Sequence, residues 1–237
     1  MSLPLFLVSG LPAGDDFVLG GPEGHHAADV QRLRAGEELL LGDGRGGTAH
    51  AVVVSAGKGE LRLRLEGRRF EPAREPRLVV AQGIAKGERG ELAVQAMTEV
   101  GVDGILPWAA ARSVAVWRGE RGEKSRQKWV ATAREAAKQA RRAWVPVIGG
   151  DPDVPTRAVK PTFVLHEEAT ERLSTVDLPD VPEIVLAVGP EGGIDERELK
   201  LFAEAGAIPV RLGQNVLRTS TAGVAALSVL NTRLGRW

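Results

Sequence analysis

Two glycine-bearing loops near the C-terminal end of the chain constrain its fold more than any other feature. The apolar run at residues 184–188 leads into a turn at 189–193, and a second short strand-like segment at 208–212 leads into a loop at 213–219. A segment of helical character follows each loop. In an open α/β sheet, ligands bind beside the C-terminal ends of the strands, where such loops lie. Glycines there allow positive φ and let backbone N–H groups approach a ligand closely, so we expect a nucleotide-like ligand at these loops.

The composition excludes several kinds of site. The chain has 237 residues, a formal net charge of zero, four histidines and no cysteine, so it can form neither disulfides nor thiolate metal sites. We expect no metal site. No apolar run approaches the roughly 18 residues that a membrane helix needs, and the N-terminal residues favour a strand over a signal peptide. These features predict a cytoplasmic protein without a membrane partner, in which any nucleic acid contacts a local basic patch.

The first 72 residues have the pattern of a small β-domain. Short runs of β-forming residues alternate with Gly/Asp turns, and residues 61–65 alternate leucine with arginine, which predicts one buried face and one basic face. One short helix is expected at about 24–34, and the proline-containing segment 70–76 is expected to be a linker. Five short strands with tight turns favour a small barrel. These strands are expected at residues 5–9, 17–19, 38–42, 48–56 and 60–66.

Beyond the linker the pattern changes to alternating strands and helices. This alternation favours a mainly parallel α/β sheet over residues 73–237. The chain is therefore predicted to have two domains, residues 1–72 and residues 73–237. Strands of the second domain are expected at 78–81, 104–107, 162–165, 184–188 and 208–212. Its longer helices are expected at 89–100 and 124–143, with further helices after the two C-terminal loops.

Neither glycine-bearing loop matches a familiar nucleotide-binding fingerprint. The turn at 189–193 is not followed by Gly-Lys-Ser/Thr, and it is not a G-x-G-x-x-G sequence. Asp195 and Glu198 form a capping-box pattern at the start of the next helix, so a plain strand-to-helix turn is an equal alternative. Arg218 lies among apolar and hydroxyl residues, where we expect it to be only partly solvated. Such an arginine needs an anionic or carbonyl partner, which is either a ligand or a local carboxylate.

The predicted helix at 124–143 separates apolar from basic side chains on a helical wheel. A basic stripe on one helix indicates RNA phosphate binding, and the alternative is a solvated surface. The same two interpretations, contact with RNA or a solvated surface, apply to His26, Arg32 and Arg34 in the first domain. The apolar face consists of Trp129, Ala133, Ala136, Ala137 and Ala140. The polar face consists of Gln127, Arg134, Lys138 and Arg141, with Arg142 beside it.

Taken together, these segments resemble the RsmE family, bacterial 16S rRNA uridine-N3 methyltransferases of the SPOUT superfamily. The resemblance spans nearly the whole chain. Its most specific parts are the turn at 189–193 and the segment 212–222, in that order and near the C-terminus. The other matching segments are residues 25–27, 32–37, 82–87, 98–102, 107, 135–139, 142, 146 and 166–167.

The resemblance implies a PUA-like β-barrel that binds RNA, followed by a SPOUT domain whose C-terminal segment forms a trefoil knot. It also implies a homodimer, S-adenosylmethionine as cofactor, and a specific uridine of 16S rRNA in the small ribosomal subunit as substrate. On the same basis the cofactor would contact Leu165, His166, Glu167, Val188, Gly189, Pro190, Glu191, Gly192, Gly193, Leu212, Gly213, Val216, Leu217, Arg218, Thr221 and Ala222.

Two residues are the expected catalytic groups. Arg218 would stabilise the negative charge that develops on the uracil carbonyls as N3 loses its proton. Glu191 is a candidate general base, with Glu99, Glu167 and release of the proton to water as alternatives. The residues expected to contact RNA are His26, Arg32, Arg34, Lys86, Arg134, Lys138 and Arg142.

Three alternatives remain open. The first is another SPOUT reaction, such as ribose 2′-O-methylation or methylation of a guanine nitrogen. The second is a non-catalytic RNA-binding assembly factor, against which the intact C-terminal loops count. The third is a nucleotide-dependent oxidoreductase, which would lack its dinucleotide fingerprint and the acidic residue expected about 20 residues further on.

Overall fold

The computed structural model describes residues 3–149 and 161–237, which form two compact units. The first unit comprises the residues up to Ala73 together with Ala137–Val145. The second comprises Arg74–Ala136 and the residues from Pro146 onward. The first break therefore lies one residue beyond the predicted domain boundary, whereas the inclusion of the later segment in the first unit was not predicted.

Five strands form the sheet of the first unit: β1 (Leu5–Leu7), β2 (Asp16–Leu19), β3 (Glu38–Gly42), β4 (Gly47–Gly57) and β5 (Glu60–Phe70). Their order in the sheet is β1-β3-β4-β5-β2, with β1 parallel to β3 and the other neighbours antiparallel. The alternation expected in β5 is confirmed, because Leu61, Leu63 and Leu65 are buried while Arg62 and Arg64 are exposed. The leucines pack with the other inward residues of the sheet into one apolar core.

The helix of the first unit begins and ends earlier than predicted. Helix α1 (Gly21–His25) continues directly into a single π-helical segment, His26–Val30. A proline in the first turn suits this start, because no backbone N–H is needed there. Arg32 has a φ of 57°, in the left-handed region, so the helix cannot continue to the predicted end at residue 34.

The segment Ala137–Val145 belongs to the first unit because it packs directly against the turn at residues 44–46 that precedes β4. Trp144 forms an isolated bridge with Arg45, and its indole Nε1 donates to the carbonyl of Glu71 at 2.8 Å. Gly46 leaves no room for a side chain, since a Cβ there would lie 2.9 Å from the Trp144 ring. These contacts join parts of the chain that are distant in sequence, so no local pattern predicts them.

In the part of the second unit that the structure describes, six strands form the sheet: β6 (Arg77–Gly83), β7 (Gly104–Trp108), β8 (Val147–Ile148), β9 (Phe163–Leu165), β10 (Glu183–Val188) and β11 (Ile208–Val210). All neighbouring pairs are parallel, and the order is β11-β9-β10-β6-β7-β8. The predicted parallel α/β sheet is confirmed, and β8 is an additional edge strand. The strands β9, β10 and β11 end side by side at one edge, where their loops meet.

Four helices of the described residues pack on this sheet: α2 (Arg89–Glu99), α3 (Gly119–Gln139), α4 (Glu196–Glu204) and α5 (Thr219–Arg233). Helices α2, α3 and α5 share a core with one face of the sheet, represented by Val80 and Leu186. Helix α4 packs on the other face, where Phe202 lies with Ala81 and Ala187. The residues on the two faces alternate along the strands, as the pleat requires.

The long helix α3 is shifted toward the N-terminus relative to the predicted span of 124–143. Its apolar face is confirmed at Trp129, Ala133, Ala136 and Ala137, which are all buried. Ala140 is exposed instead, because the helix ends at Gln139. The residue after Ala140 has a φ of 52°, which marks the turn.

None of the helices within the described residues has the length and apolar character needed to cross a membrane. Nor does any cluster of three or more potential metal ligands occur in that part of the chain.

Candidate functional site

A cavity of about 500 Å³ lies in the second unit at the C-terminal ends of β9, β10 and β11. Ligands bind at this position in open parallel sheets, and the volume falls within the range of about 300–1,000 Å³ usual for small-molecule sites. Most of the residues that line it belong to the segments 165–167, 188–194 and 210–219. Both loops that were predicted to bind a ligand lie within these segments.

Every residue predicted to contact the cofactor lines this cavity, with the exception of Thr221. Thr221 is exposed, and its hydroxyl donates back to the carbonyl of Arg218 at 3.1 Å, within the first turn of α5. Several lining residues were not predicted. They are Arg89, Arg112, Ile194, Val210, Arg211, Asn215 and Thr219.

The turn after β10 is held by close backbone packing. A Cβ on Gly83, the last residue of β6, would lie 2.6 Å from the backbone nitrogen of Pro190 and 2.9 Å from the carbonyl carbon of Gly189. Gly193 has a φ of 74°, and its N–H donates to the carbonyl of Pro190 at 3.0 Å. This arrangement therefore needs glycine at two positions. Gly83 on β6 allows the turn to approach closely, and Gly193 within the turn adopts a positive φ.

A loop after β7 packs against this turn and brings Arg112 to the cavity. Its guanidinium Nη1 donates to the carbonyl of Gly192 at 3.3 Å, and Nη2 lies 3.9 Å from Asp195 Oδ2. The buried carboxylate of Glu198 accepts from the N–H groups of Ala111 at 2.8 Å and Asp195 at 3.0 Å. The predicted capping box at Asp195 and Glu198 is confirmed, and Glu198 also fixes the loop that carries Arg112.

Glu191 joins the turn to the segment that follows β6. Its Oε1 accepts from the backbone N–H of Lys86 at 3.1 Å and from Arg89 Nη1 at 3.2 Å. Burial raises the pKa of Glu191, but hydrogen bonds from its own backbone N–H, from Lys86 and from Arg89 outweigh that effect. The net pKa lies below the ordinary value of 4.5, so Glu191 is ionised at neutral pH.

Arg218 lies at the cavity, but it is exposed rather than partly buried as predicted. It is the N-cap residue of α5, and its carbonyl accepts from the N–H groups of Thr221 and Ala222 at 2.9 Å. Among the residues that the structure describes, nothing engages its guanidinium in a hydrogen bond or an ion pair. The local carboxylate considered as its partner is therefore not observed, and the group is free to meet an anionic ligand.

The other carboxylates considered as bases occupy different positions. Glu167 is exposed and lines the cavity. Glu99 lies on α2, where it accepts from Gln95 Nε2 at 3.0 Å, and it is not part of the cavity wall. The apolar part of the wall includes Leu165, Val216 and Leu217, and Val216 is 74% exposed.

Lys138 was predicted to contact RNA, and the structure places its ammonium group in a buried ion pair. Its side chain is 5% exposed, and Nζ lies 3.0 Å from Oε2 and 3.1 Å from Oε1 of Glu23. A cation buried in such a pair favours a structural role over contact with a phosphate. The helical wheel placed Lys138 on a polar face, but it could not reveal the pairing with Glu23, a residue of the same unit that is distant in sequence.

The remaining predicted RNA contacts differ in exposure. Arg32, Arg34 and Lys86 are exposed, whereas Arg134 and Arg142 are partly buried. His26 is also partly buried, and its ring packs edge-on against Phe6 with the centroids 5.9 Å apart. Lys86 and Arg134 belong to the second unit, and the others belong to the first.

Family models match both units. A model described as an RNA methyltransferase PUA domain matches residues 19–66, and one described as an RNA methyltransferase domain matches residues 73–231. The second match covers the whole parallel sheet and the cavity. Among solved structures, the methyltransferase Lpg2936 of Legionella pneumophila, in complex with S-adenosylmethionine, is 28% identical with a TM-score of 0.86, covering 98% of both chains.

Curated relatives agree with these models. Ribosomal RNA small subunit methyltransferase E of Mycobacterium tuberculosis is 45% identical, over 98% of this chain and 93% of its own length. The protein of the same name from Bacillus subtilis is 29% identical over 91% of this chain. The structure of the Neisseria gonorrhoeae protein of that name, bound to S-adenosylmethionine, has a TM-score of 0.86 at 25% identity over 98% of both chains. The chain therefore belongs to the ribosomal RNA small subunit methyltransferase E family.

Proposed function

We propose that this protein transfers the methyl group of S-adenosylmethionine to N3 of a specific uridine in 16S rRNA of the small ribosomal subunit. The observation that carries the proposal is the placement of Arg218. Its guanidinium, which has no partner in the described part of the chain, lies at a cavity lined by the two glycine-bearing loops. The relatives of this chain are named for small-subunit rRNA methylation. Arginine is suited to stabilising an oxyanion on a planar base, because its donors form a fixed fork.

The cavity fits the cofactor in size and in chemistry. Leu165, Val188 and Leu212 offer an apolar wall to the adenine, and the backbone around Gly189 approaches the space without side-chain obstruction. Backbone carbonyls of the two loops that line the cavity offer acceptors for the hydroxyl and ammonium groups. When bound, S-adenosylmethionine supplies an electrophilic methyl group on a sulfonium. The protein holds and orients both reactants, which is the main contribution available to it in such a displacement.

The uracil N3–H must lose its proton for the nitrogen to attack. Arg218 assists by donating hydrogen bonds to the carbonyl on which the negative charge develops. Glu191 is less suited to take the proton than the sequence indicated, because its pKa is lowered and its carboxylate already binds Lys86 and Arg89. A general base works best with a pKa near the working pH. The proton therefore passes to Glu167 or to water, and Glu191 holds the cavity turn in place.

Replacing Glu191 by glutamine tests this assignment. Loss of a general base costs about 10²- to 10⁴-fold in rate, so we expect Glu191→Gln to lower kcat by less than about tenfold. Because the pKa of Glu191 is lowered in the folded state, its ionised carboxylate stabilises the fold at pH values above the ordinary pKa of 4.5. This stabilisation is lost as the pH falls through the pKa of Glu191 in the folded state. The melting temperature of the variant should thus be lower at pH 7 and equal to that of the wild type in acid below both values.

The matched control is Glu196→Gln, which changes an exposed carboxylate on α4 outside the cavity. We expect it to alter neither kcat nor the pH dependence of the melting temperature. A loss above a hundredfold in Glu191→Gln, with the control active, would return Glu191 to the role of general base.

The RNA is proposed to contact exposed cations in both units. Arg32 and Arg34 serve in the first unit, and Lys86 in the second. Arg89 and Arg112 lie on the cavity wall and add positive charge where the target nucleotide enters. Phosphate binding is the general use of such exposed cations in RNA recognition. Arg134 and Arg142 would contribute through the exposed parts of their side chains.

We also propose a cytoplasmic homodimer with a trefoil knot at the C-terminus. Val216 and Leu217 support the dimer, because they are exposed apolar side chains at the cavity, 74% and 40% accessible in the single chain. The support for the knot is that the chain returns at Thr219, the first residue of α5, to bond with Gln82 of β6 and with Gly189 directly after β10. Light scattering would test the dimer.

Nucleoside mass spectrometry of 16S rRNA tests the reaction. Small ribosomal subunits that lack the modification would be incubated with the protein and labelled S-adenosylmethionine. We expect 3-methyluridine at a single position. Methylation of another atom would show that the protein has a different methylation specificity. Failure to bind the cofactor would favour the alternative of a non-catalytic assembly factor.

A further inference from the structure

A buried glutamine lies at the point where β6, β10 and α5 meet. Gln82 is fully buried, and it pairs in register with Val188, the last residue of β10. Its side-chain Nε2 donates to Thr219 Oγ1 at 2.8 Å and more weakly to the carbonyl of Gly83 at 3.2 Å. Thr219 is the first residue of α5 and follows Arg218 directly. Its hydroxyl in turn donates to the carbonyl of Gly189 at 2.7 Å.

The direction of these hydrogen bonds is fixed by the chemistry of the groups. A hydroxyl has one proton, and Thr219 donates it to the Gly189 carbonyl, so its oxygen must accept from Gln82. The opposite orientation of the amide would place its oxygen against the carbonyl of Gly83, where two acceptors would face each other. The relay therefore runs from the Gln82 amide to the Thr219 hydroxyl and on to the Gly189 carbonyl.

Stability alone does not account for a glutamine at this position. Its Oε1 is buried and has no hydrogen-bond partner among the described residues. A buried polar atom without a partner is unfavourable, and a leucine or methionine would occupy similar space without that cost. The hydrogen bond from the amide N–H of Gln82 to the hydroxyl of Thr219 therefore explains why a glutamine occupies this position.

We propose that Gln82 and Thr219 are positioning residues that hold the cavity turn and the first turn of α5 in one fixed arrangement. Gly189 belongs to the cavity wall, and Arg218 is attached to the residue that the relay anchors. The relay thereby sets the place of the cofactor and of the guanidinium at the same time. The effect on turnover rests on the proposed methyl transfer, whereas the effect on cofactor affinity does not.

The test compares Thr219→Val, which keeps the shape and removes the hydroxyl, with Thr219→Ser, which keeps the hydroxyl and removes the methyl group. Misplacement of reacting groups by about 1 Å can cost on the order of 10²-fold, so we expect Thr219→Val to lower kcat by about 10- to 100-fold. Its affinity for S-adenosylmethionine, measured by calorimetry, should weaken as well. Thr219→Ser should keep both values within about threefold of the wild type. Gln82→Met should resemble Thr219→Val, since it also removes the relay.

The melting temperature separates positioning from plain stabilisation. We expect Thr219→Val and Thr219→Ser to melt within a few degrees of each other while differing in kcat. Equal kcat and equal cofactor affinity in the two variants would overturn the proposal, as would losses in kcat that simply follow the melting temperature. A wild-type protein that binds the cofactor but transfers no methyl group would overturn the proposed function instead. The affinities of Thr219→Val and Thr219→Ser for S-adenosylmethionine would then still show whether the relay operates.

Discussion

Replacing Arg218 by alanine should lower kcat for methyl transfer by about 10²- to 10³-fold, the usual cost of removing one preorganised donor to a developing oxyanion. The dissociation constant of S-adenosylmethionine, measured by calorimetry, should stay within about threefold of the wild-type value, because the interaction is made only as the uracil becomes anionic. The structure supports this separation. The guanidinium has no partner among the described residues, and it is the carbonyl of Arg218 that caps α5, which alanine also provides.

Two further variants sharpen the result for Arg218. Arg197→Ala is the matched control, because Arg197 is an exposed arginine of the same unit outside the cavity wall, and it should leave kcat unchanged. Arg218→Lys keeps the charge but loses the planar fork, so it should recover only part of the activity. Equal collapse of cofactor affinity and of kcat in Arg218→Ala would show that Arg218 binds the cofactor and that the catalytic assignment is wrong.

Replacing Lys138 by alanine should lower the free energy of unfolding by about 3–5 kcal/mol, as expected when one partner of a buried ion pair is removed. The carboxylate of Glu23 is only 15% exposed and would lose the ammonium that lies 3.0 Å away. Urea unfolding followed by circular dichroism measures the change. The sequence indicated a direct role in RNA binding for Lys138, and the structural role in the buried ion pair is the alternative that this variant tests.

The control for this prediction is Lys128→Ala, which changes an exposed lysine on the same helix and should alter stability by less than about 0.5 kcal/mol. The double variant Glu23→Leu with Lys138→Met should recover much of the loss, because an apolar pair of similar volume avoids burying an unpaired charge. A stable Lys138→Ala protein with weakened RNA affinity would show instead that Lys138 reaches the RNA.

Local patterns predicted the secondary structure well where burial is periodic. Leu61, Leu63 and Leu65 alternate with arginines because β5 has one face on the core, and the sequence displays that directly. Errors arose at helix ends. Helix α3 begins five residues before the predicted start. Helix α1 ends before Arg32, whose positive φ is not visible in a helical-wheel pattern.

The candidate site was predictable in its loops but not in its partners. The glycine-bearing turn and the segment before α5 were recognisable from residue type and spacing, and both line the cavity. Arg89 and Arg112 come from other parts of the chain, with no local motif to mark them. Their place in the site follows from a hydrogen bond to Glu191 and from packing against Gly192.

The sequence by itself determined the parallel α/β sheet, the β-rich first domain and the two loops that meet at the cavity. Tertiary structure alone decided that Lys138 is buried against Glu23 and that Gln82 reaches Thr219, 137 residues away in sequence. The physical reason is the range of each signal. Hydrophobic periodicity and turn chemistry depend on neighbours within a few residues, whereas the exposure of a charge and the partner of a buried amide depend on which distant segments the fold brings together.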